Sequence, residues 1–377
     1  MKAGHRWLLA GALAAGIAAA PTVNAAQKHK IFLSMSYIGN DWQAEAANMV
    51  KAMAAYKGMA DKVNLEVQVA GPNAQRQIQQ LNAMVQAGAE AIVIFPISPT
   101  ALNQVVKSAC DKGVKIFAYD AEITEPCAYN VHIDQEEAGR KTAEWLVDKL
   151  GGKGNIVVIT GVPGTSVDTL RTKAAKEVFA KHPGIKIVAE AVGMWSQAVA
   201  RTELSKILAT RNWDQIDGLW MQVGCYTANA MQLEAGKKAS QLLPCAGEGS
   251  NGGRIQMLPA GTEVEGATSP YMPLGAPRIS YASPPYSGGL ALKLAVEALE
   301  GKTVPKTTIL PLPLVTNDTI KLCQEGTWQE MKAGCNAFKP SIVPNPVTFC
   351  TIAAEPYPIA TPITPPMMLI TMLSTRN

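Results

Sequence analysis

A chain of 377 residues, 47 % of them hydrophobic and 17 % charged, is long enough for two domains with full cores and is not membrane-like in composition. Its 34 basic and 30 acidic residues give a formal charge of +4; without Lys2 and Arg6, which fall in a leader, 32 stand against 30 and the charge is about +2. So weak a balance argues against a nucleic-acid or acidic-surface partner.

Residues 1–26 read as a signal peptide. Lys2, His5 and Arg6 form a basic n-region, 7–20 an apolar h-region, and Val23-Asn24-Ala25 supplies small residues for cleavage, so the mature chain is expected to start near Ala26. The apolar run is too short for a permanent span, and no Cys follows it to carry a lipid. A soluble protein of the periplasm, not a lipoprotein, is the expectation.

Segment 31–35 has the apolar character of a buried strand, Gly39-Asn40-Asp41 is turn and helix-start chemistry, and 44–56 is an alanine-rich helical run. Strands then follow at 65–70, 91–96 and 115–119, alternating with helices at 75–87 and 99–112. A short strand at 128–133 lacks a helix before it and reads as a crossing into a second domain. There the alternation resumes, with helices at 136–150, 167–180 and 196–210 and strands at 155–160, 185–191 and 218–221. Strand 278–282 and helix 287–300 return the chain to the first domain, and 307–316 crosses once more.

This pattern predicts an α/β protein of two doubly wound parallel-sheet domains joined by three hinge crossings. The expected division is 27–133 plus 284–310 for the first domain and 134–283 plus 311–339 for the second. From Pro340 to Pro366 eight prolines punctuate a nearly uncharged run, so 340–377 is expected to be an irregular tail without function or a non-native C-terminus.

The seven cysteines fall into three local pairs, Cys110 with Cys127, Cys225 with Cys245 and Cys323 with Cys335, leaving Cys350 alone. In an exported chain the pairs read as disulfides; buried free thiols are the alternative. A zinc site lacks any Cys-x-x-Cys or neighbouring His, and no metal or other cofactor is expected.

In an open parallel sheet, ligands bind beyond the carboxyl ends of the strands. In the first half those ends carry Asn40-Asp41-Trp42, Phe95-Pro96-Ile97-Ser98 and Asp120-Ala121-Glu122. In the second half they carry 161–166 leading to Arg171, then Met194-Trp195, Gln222 and Glu248-Gly249-Ser250. Carboxylates, amides and a guanidinium pair with vicinal hydroxyls, and indole faces cover the apolar side of a sugar ring.

The chain resembles the type I periplasmic binding proteins, in the sugar-binding cluster around ribose-binding protein. The resemblance spans roughly 30–316 and rests on the start 36–42, Ile94-Phe95-Pro96-Ile97-Ser98-Pro99, Ala118-Tyr119-Asp120, Gly161-Val162-Pro163-Gly164-Thr165-Ser166 with Arg171, and Gly247-Glu248-Gly249. It implies that Asn40, Trp42 and Asp120 meet the ligand from the first domain and Arg171, Trp195 and Glu248 from the second. Phe95, Gln222 and Ser283 complete the expected lining. Phe95 stands where an Asn is usual, Ala121 where an Arg is usual, Val223 where an Asn is usual and Ser283 where a Gln is usual, which points away from ribose. The implied role is capture of a small sugar or polyol for an ABC importer, with permease and ATPase subunits, or a membrane chemoreceptor or sensor, as partners of a monomer.

Other readings of the same residues stand beside these. Asn40 with Gln43 fits a helix cap, and Arg171 could pair with Asp168 or Glu177 on its own helix. The turn 161–166 lacks the Lys-Ser/Thr of a phosphate loop, so Thr165 or Ser166 is expected to cap a helix. An enzyme would have to use a carboxylate pair such as Asp120 with Glu248, because no nucleophile–His–acid set can be assembled.

Overall fold

The structure, a computed structural model, describes residues 27–281 and 283–340, the side chains of Asp41, Glu248, Trp328 and Lys332 excepted. The leader 1–26, the tail beyond 340 and Cys350 lie outside the described residues.

Strands β1 (His29–Met35), β2 (Val63–Val69), β3 (Ala91–Phe95), β4 (Lys115–Tyr119) and β5 (Tyr129–Ile133) alternate with helices α1 (Asp41–Ala55), α2 (Ala74–Gln86) and α3 (Asn103–Asp111). The second half brings α4 (Gln135–Lys149), β6 (Lys153–Thr160), α5 (Ser166–Ala180), β7 (Gly184–Val192), α6 (Gln197–Leu208) and β8 (Gly218–Met221). It continues with α7 (Cys225–Glu234), β9 (Cys245–Glu248), α8 (Asn251–Met257), β10 (Arg278–Tyr281) and α9 (Ser287–Leu299). Strands β11 (Thr307–Leu310) and β12 (Leu314–Thr316) precede a small unit of β13 (Leu322–Cys323), α10 (Trp328–Lys332) and β14 (Ala337–Phe338).

The strands make two six-stranded sheets, ordered β11-β5-β4-β3-β1-β2 and β12-β10-β9-β8-β6-β7. Core strands such as β3, Ala-Ile-Val-Ile-Phe, are buried throughout, as parallel strands covered on both faces must be. Setting β11 and β12 aside, the two orders are the same doubly wound topology, with order reversal between β1 and β3 and between β6 and β8. The chain passes between the sheets after β5, after β10 and after β11.

One strand departs from the all-parallel expectation: β12 runs antiparallel to β10. Strand β11 ends at the carboxyl edge of its sheet, so a chain stepping across residues 311–313 enters the second domain at that edge and must run away from it. Helices α7 and α8 also escape the sequence reading. Both are buried almost all round, so neither shows an apolar stripe, and α8 contains Gly252 and Gly253. A Cβ on Gly253 would stand 2.0 Å from Nη1 of Arg278, so a side chain there would have to displace the buried guanidinium.

The three cysteine pairs are disulfides, with Cα separations of 6.4 Å for Cys110–Cys127, 5.8 Å for Cys225–Cys245 and 5.1 Å for Cys323–Cys335. The last clips the small C-terminal unit, which the second domain holds through Asn251: its amide donates to Phe338 O and accepts from Phe338 N, both at 2.8 Å.

Candidate functional site

Three of the helices that follow strand ends begin with side-chain caps that fix where the neighbouring groups point. Asn40 Oδ1 accepts from Gln43 N at 2.9 Å to start α1, Thr165 starts α5 through Asp168 N at 3.2 Å, and Ser196 starts α6 through Val199 N at 3.4 Å. Gln43 Oε1 finds no partner, so the capping at Asn40 is not reciprocated. Ser166 is left to accept from Glu122 N at 2.8 Å, across the two sheets.

Asp120 follows β4 with φ 59°, a left-handed conformation that Asp tolerates better than most residues. Its main-chain N–H donates to Val131 O at 2.8 Å, and the residue is only 4 % exposed. Oδ1 accepts from Ser283 Oγ and, at 3.2 Å, from Gln135 Nε2. Gln135 Oε1 in turn accepts from Arg171 Nε at 2.7 Å. Carboxylate, amide and guanidinium thus form one buried chain running from the first sheet's edge into α4 and α5 of the second domain. The close approach of α4 and α5 that permits it depends on Gly139, where a Cβ would meet Arg171 O at 2.2 Å. Arg171 lies 4.8 Å over the Tyr281 ring, a cation–π contact. Desolvation pushes the Asp120 carboxyl above its ordinary value, outweighing the opposing pull of Arg171, Ser283, Gln135 and His132.

Trp195 is built from the other side. Met194 and Trp195 are both left-handed, at φ 54° and 50°, costing on the order of 1 kcal/mol each for side chains of this kind. The indole N–H of Trp195 donates to Gln222 Oε1 at 2.7 Å. Gln222 Nε2 donates to Asp168 Oδ1 at 2.8 Å and to Thr172 Oγ1 at 2.9 Å, and Asp168 Oδ1 also accepts from Gly161 N at 2.6 Å. A Cβ at position 161 would lie 2.1 Å from Trp195 Nε1, so glycine is required for the indole to seat. Burial raises the Asp168 carboxyl as well, against the hydrogen bonds and Arg171 that lower it.

Trp42 donates its indole N–H to Ser283 O at 2.6 Å and packs on Phe95, whose ring lies 6.2 Å away. Phe95 is itself buried against Tyr119, ring centroids 5.7 Å apart. Trp42, Phe95, Trp195, Val162, Val167 and Tyr281 belong to one continuous apolar cluster that spans both domains. Beside the Glu122–Ser166 and Gln135–Asp120 bonds, the domains are joined by Tyr37 Oη donating to Met194 O at 2.9 Å and Asn40 Nδ2 donating to Trp195 O at 3.3 Å.

Of the residues singled out in the sequence, Ser283 bonds Asp120 directly and Asp120 meets Arg171 through Gln135, while Trp42 and Phe95 join Trp195 in the cluster. Gln222 is buried behind Trp195 with its amide fully engaged. Glu248 closes β9 beside Tyr281 of β10, and its side chain lies outside the described residues. Sequence reasoning missed Tyr37, Gln135 and Gly161 as site residues and considered Asp168 only as an ion-pair partner of Arg171.

The chain matches the family described as "Periplasmic binding protein domain" over residues 31–303. It belongs to that family. It is 27 % identical over 271 residues to the xylitol-binding protein of Mycolicibacterium smegmatis, covering 71 % of this chain and 72 % of that one. To the galactofuranose-binding protein of Escherichia coli it is 26 % identical over 187 residues, 48 % of this chain and 58 % of that one. The crystal structure of a Caulobacter myo-inositol-binding protein shares the fold, with TM-score 0.67 at 21 % identity over 78 % of this chain and 95 % of that one. The resemblance read from the sequence and the two-domain α/β architecture both hold, and this periplasmic binding protein carries its candidate site where the two sheets' carboxyl edges face each other.

Proposed function

We propose that this protein captures a small sugar or polyol between its two domains and delivers it to an ABC importer. The observation that carries this reading is the buried chain Asp120–Gln135–Arg171, which alternates acceptor and donor groups between the domains as vicinal hydroxyls require. Trp42 and Trp195 flank it with indole faces suited to the C–H side of a ring or polyol chain. The relatives named for xylitol and galactofuranose, and the structural neighbour holding myo-inositol, are all named for polyhydroxylated compounds. Trp42, Phe95 and Asp120, with Ser283 beside Asp120, face the ligand from one side in this reading, and Arg171, Trp195 and Glu248 from the other, with Gln222 behind them; the Asn40 side chain is engaged by the α1 cap and by Trp195 O instead.

The moving bodies are 27–133 with 284–310 and 134–283 with 311–339, closing about the three crossings; periplasmic binding proteins are a standard example of such hinge closure. The chain acts in the periplasm after loss of residues 1–26, as a monomer, with a permease and an ATPase as partners. A membrane sensor would read the same closed form. The family's members bind solutes without converting them, and here Asp120 is engaged by Ser283 and Gln135 rather than poised against a second acid.

A thermal-shift screen of the mature chain against pentoses, hexoses, polyols and amino acids tests the reading. A ligand at about 100 times its dissociation constant adds roughly 2.7 kcal/mol of stability. A shift with sugars or polyols supports the reading; a shift with amino acids alone replaces the ligand class, and release of product from a glycoside refutes binding without turnover.

A further inference from the structure

Tyr37 and Asn40 sit at the first domain's strand-end turn, yet neither offers its hydrogen-bonding group to the cleft. The Tyr37 hydroxyl donates to Met194 O, and the Asn40 amide donates to Trp195 O while its oxygen caps α1. Burial pushes the Tyr37 hydroxyl pKa up, so it stays a neutral donor. The two acceptors are consecutive carbonyls of the second domain, and both belong to residues with left-handed backbone. Rotating φ at either residue to an ordinary value would turn the chain at the point where the first domain meets it. The turn is held from within its own domain: Gly193 N donates to Thr160 O at 2.9 Å, Ser196 N to Gly193 O at 2.9 Å, and the Trp195 indole to Gln222. Main-chain strain kept in place by its surroundings and met across a moving interface is a pattern expected of a functional contact.

We propose that Tyr37, Asn40 and the Met194–Trp195 carbonyls form a latch that closes the two domains on each other without contacting the ligand. Resting on the sugar- or polyol-binding reading above, the latch sets how much of the protein is closed, and the apparent affinity scales with that fraction. Its loss therefore weakens every ligand by the same factor, whereas loss of a ligand contact reorders them.

Two variants test this. Tyr37→Phe removes one donor and keeps the ring. Asn40→Asp keeps the cap on α1, since Asp caps as well as Asn, but cannot donate to Trp195 O. Each is titrated with xylitol, D-xylose, myo-inositol and D-fructose, and its ligand-free radius of gyration is measured by X-ray scattering against wild type. The expected result is a rise in Kd of about 2- to 10-fold, equal for every probe that binds wild type, with a larger ligand-free radius of gyration. Unchanged scattering, or a Kd that rises for one probe and not another, overturns the latch. If no probe binds wild type, the sugar or polyol reading fails on its own, and the scattering of the variants alone decides for or against the latch.

Discussion

In the second domain Trp195, Gln222, Asp168, Thr172 and Gly161 hold one another, each partner lying within that domain. In the first domain the Tyr37 hydroxyl, the Asn40 amide N–H, the Trp42 indole N–H and the Asp120 carboxylate find their partners in the second domain or at Ser283, where the chain crosses back. One wall is assembled before closure and the other is completed by it. Substitutions in the second wall should therefore register in the ligand-free protein, and those in the first wall mainly in binding and closure.

The sharpest break in this contrast is Arg171→Leu. It removes the donor to Gln135 Oε1 and the positive charge that opposes the desolvation of Asp120, at a cost of about 3 kcal/mol, the upper end for leaving a buried polar group unsatisfied, and is expected both to lower the melting temperature and to abolish ligand-induced stabilisation in a thermal-shift assay. Gly161→Ala comes next. The added methyl displaces the Trp195 indole, costing about 1–3 kcal/mol as overpacking does, and a shifted tryptophan emission in the absence of ligand would register it. Gln222→Leu strips partners from the Trp195 N–H and from Asp168, for a loss of about 1–2 kcal/mol in urea unfolding without direct removal of a ligand contact.

The smallest effect expected is on pH dependence, and its sign separates folding from binding. Asp120 and Asp168 both have folded-state pKa values raised by desolvation. Each therefore contributes stability that is full below the ordinary Asp value of about 3.9 and is lost as pH rises through the raised folded value. Asp168→Asn should flatten that decline in denaturant midpoints measured between pH 4 and 7. Binding runs the other way: hydroxyls donating to Asp120 favour its ionised form, so Kd should rise as pH falls toward the raised pKa. A Kd that improves in acid would contradict Asp120 as an acceptor.

Much of the architecture is legible because parallel strands such as β3 are apolar runs and several helices, α1, α2, α4, α5 and α6 among them, start with Asn, Asp, Ser or Thr. Asp120 could be found for the same reason, as an acid standing at a buried strand's end. Gln135 and Asp168 could not, because their roles come from packing α4 on α5 and from the turn of residue 161 toward residue 195, contacts that no local pattern encodes. Gly161 does carry a usable signal, a glycine directly after a strand, but the signal fits a turn as well as it fits room for an indole. Asn40 shows the opposite difficulty. The sequence supports a cap and a ligand contact equally, and the structure shows the cap together with a third role, a bond to Trp195 O.

Ligand held between the domains by Asp120 is the central claim, and calorimetric titration of the best-binding sugar or polyol into wild type and Asp120→Asn tests it most directly. The variant keeps the shape of the side chain and one acceptor oxygen but loses the charge. Saturable binding at one site per chain, weakened about 10- to 100-fold in the variant as expected for charge-assisted bonds worth about 1.5–3 kcal/mol, is the predicted result. Equal affinities in the two proteins would contradict the claim.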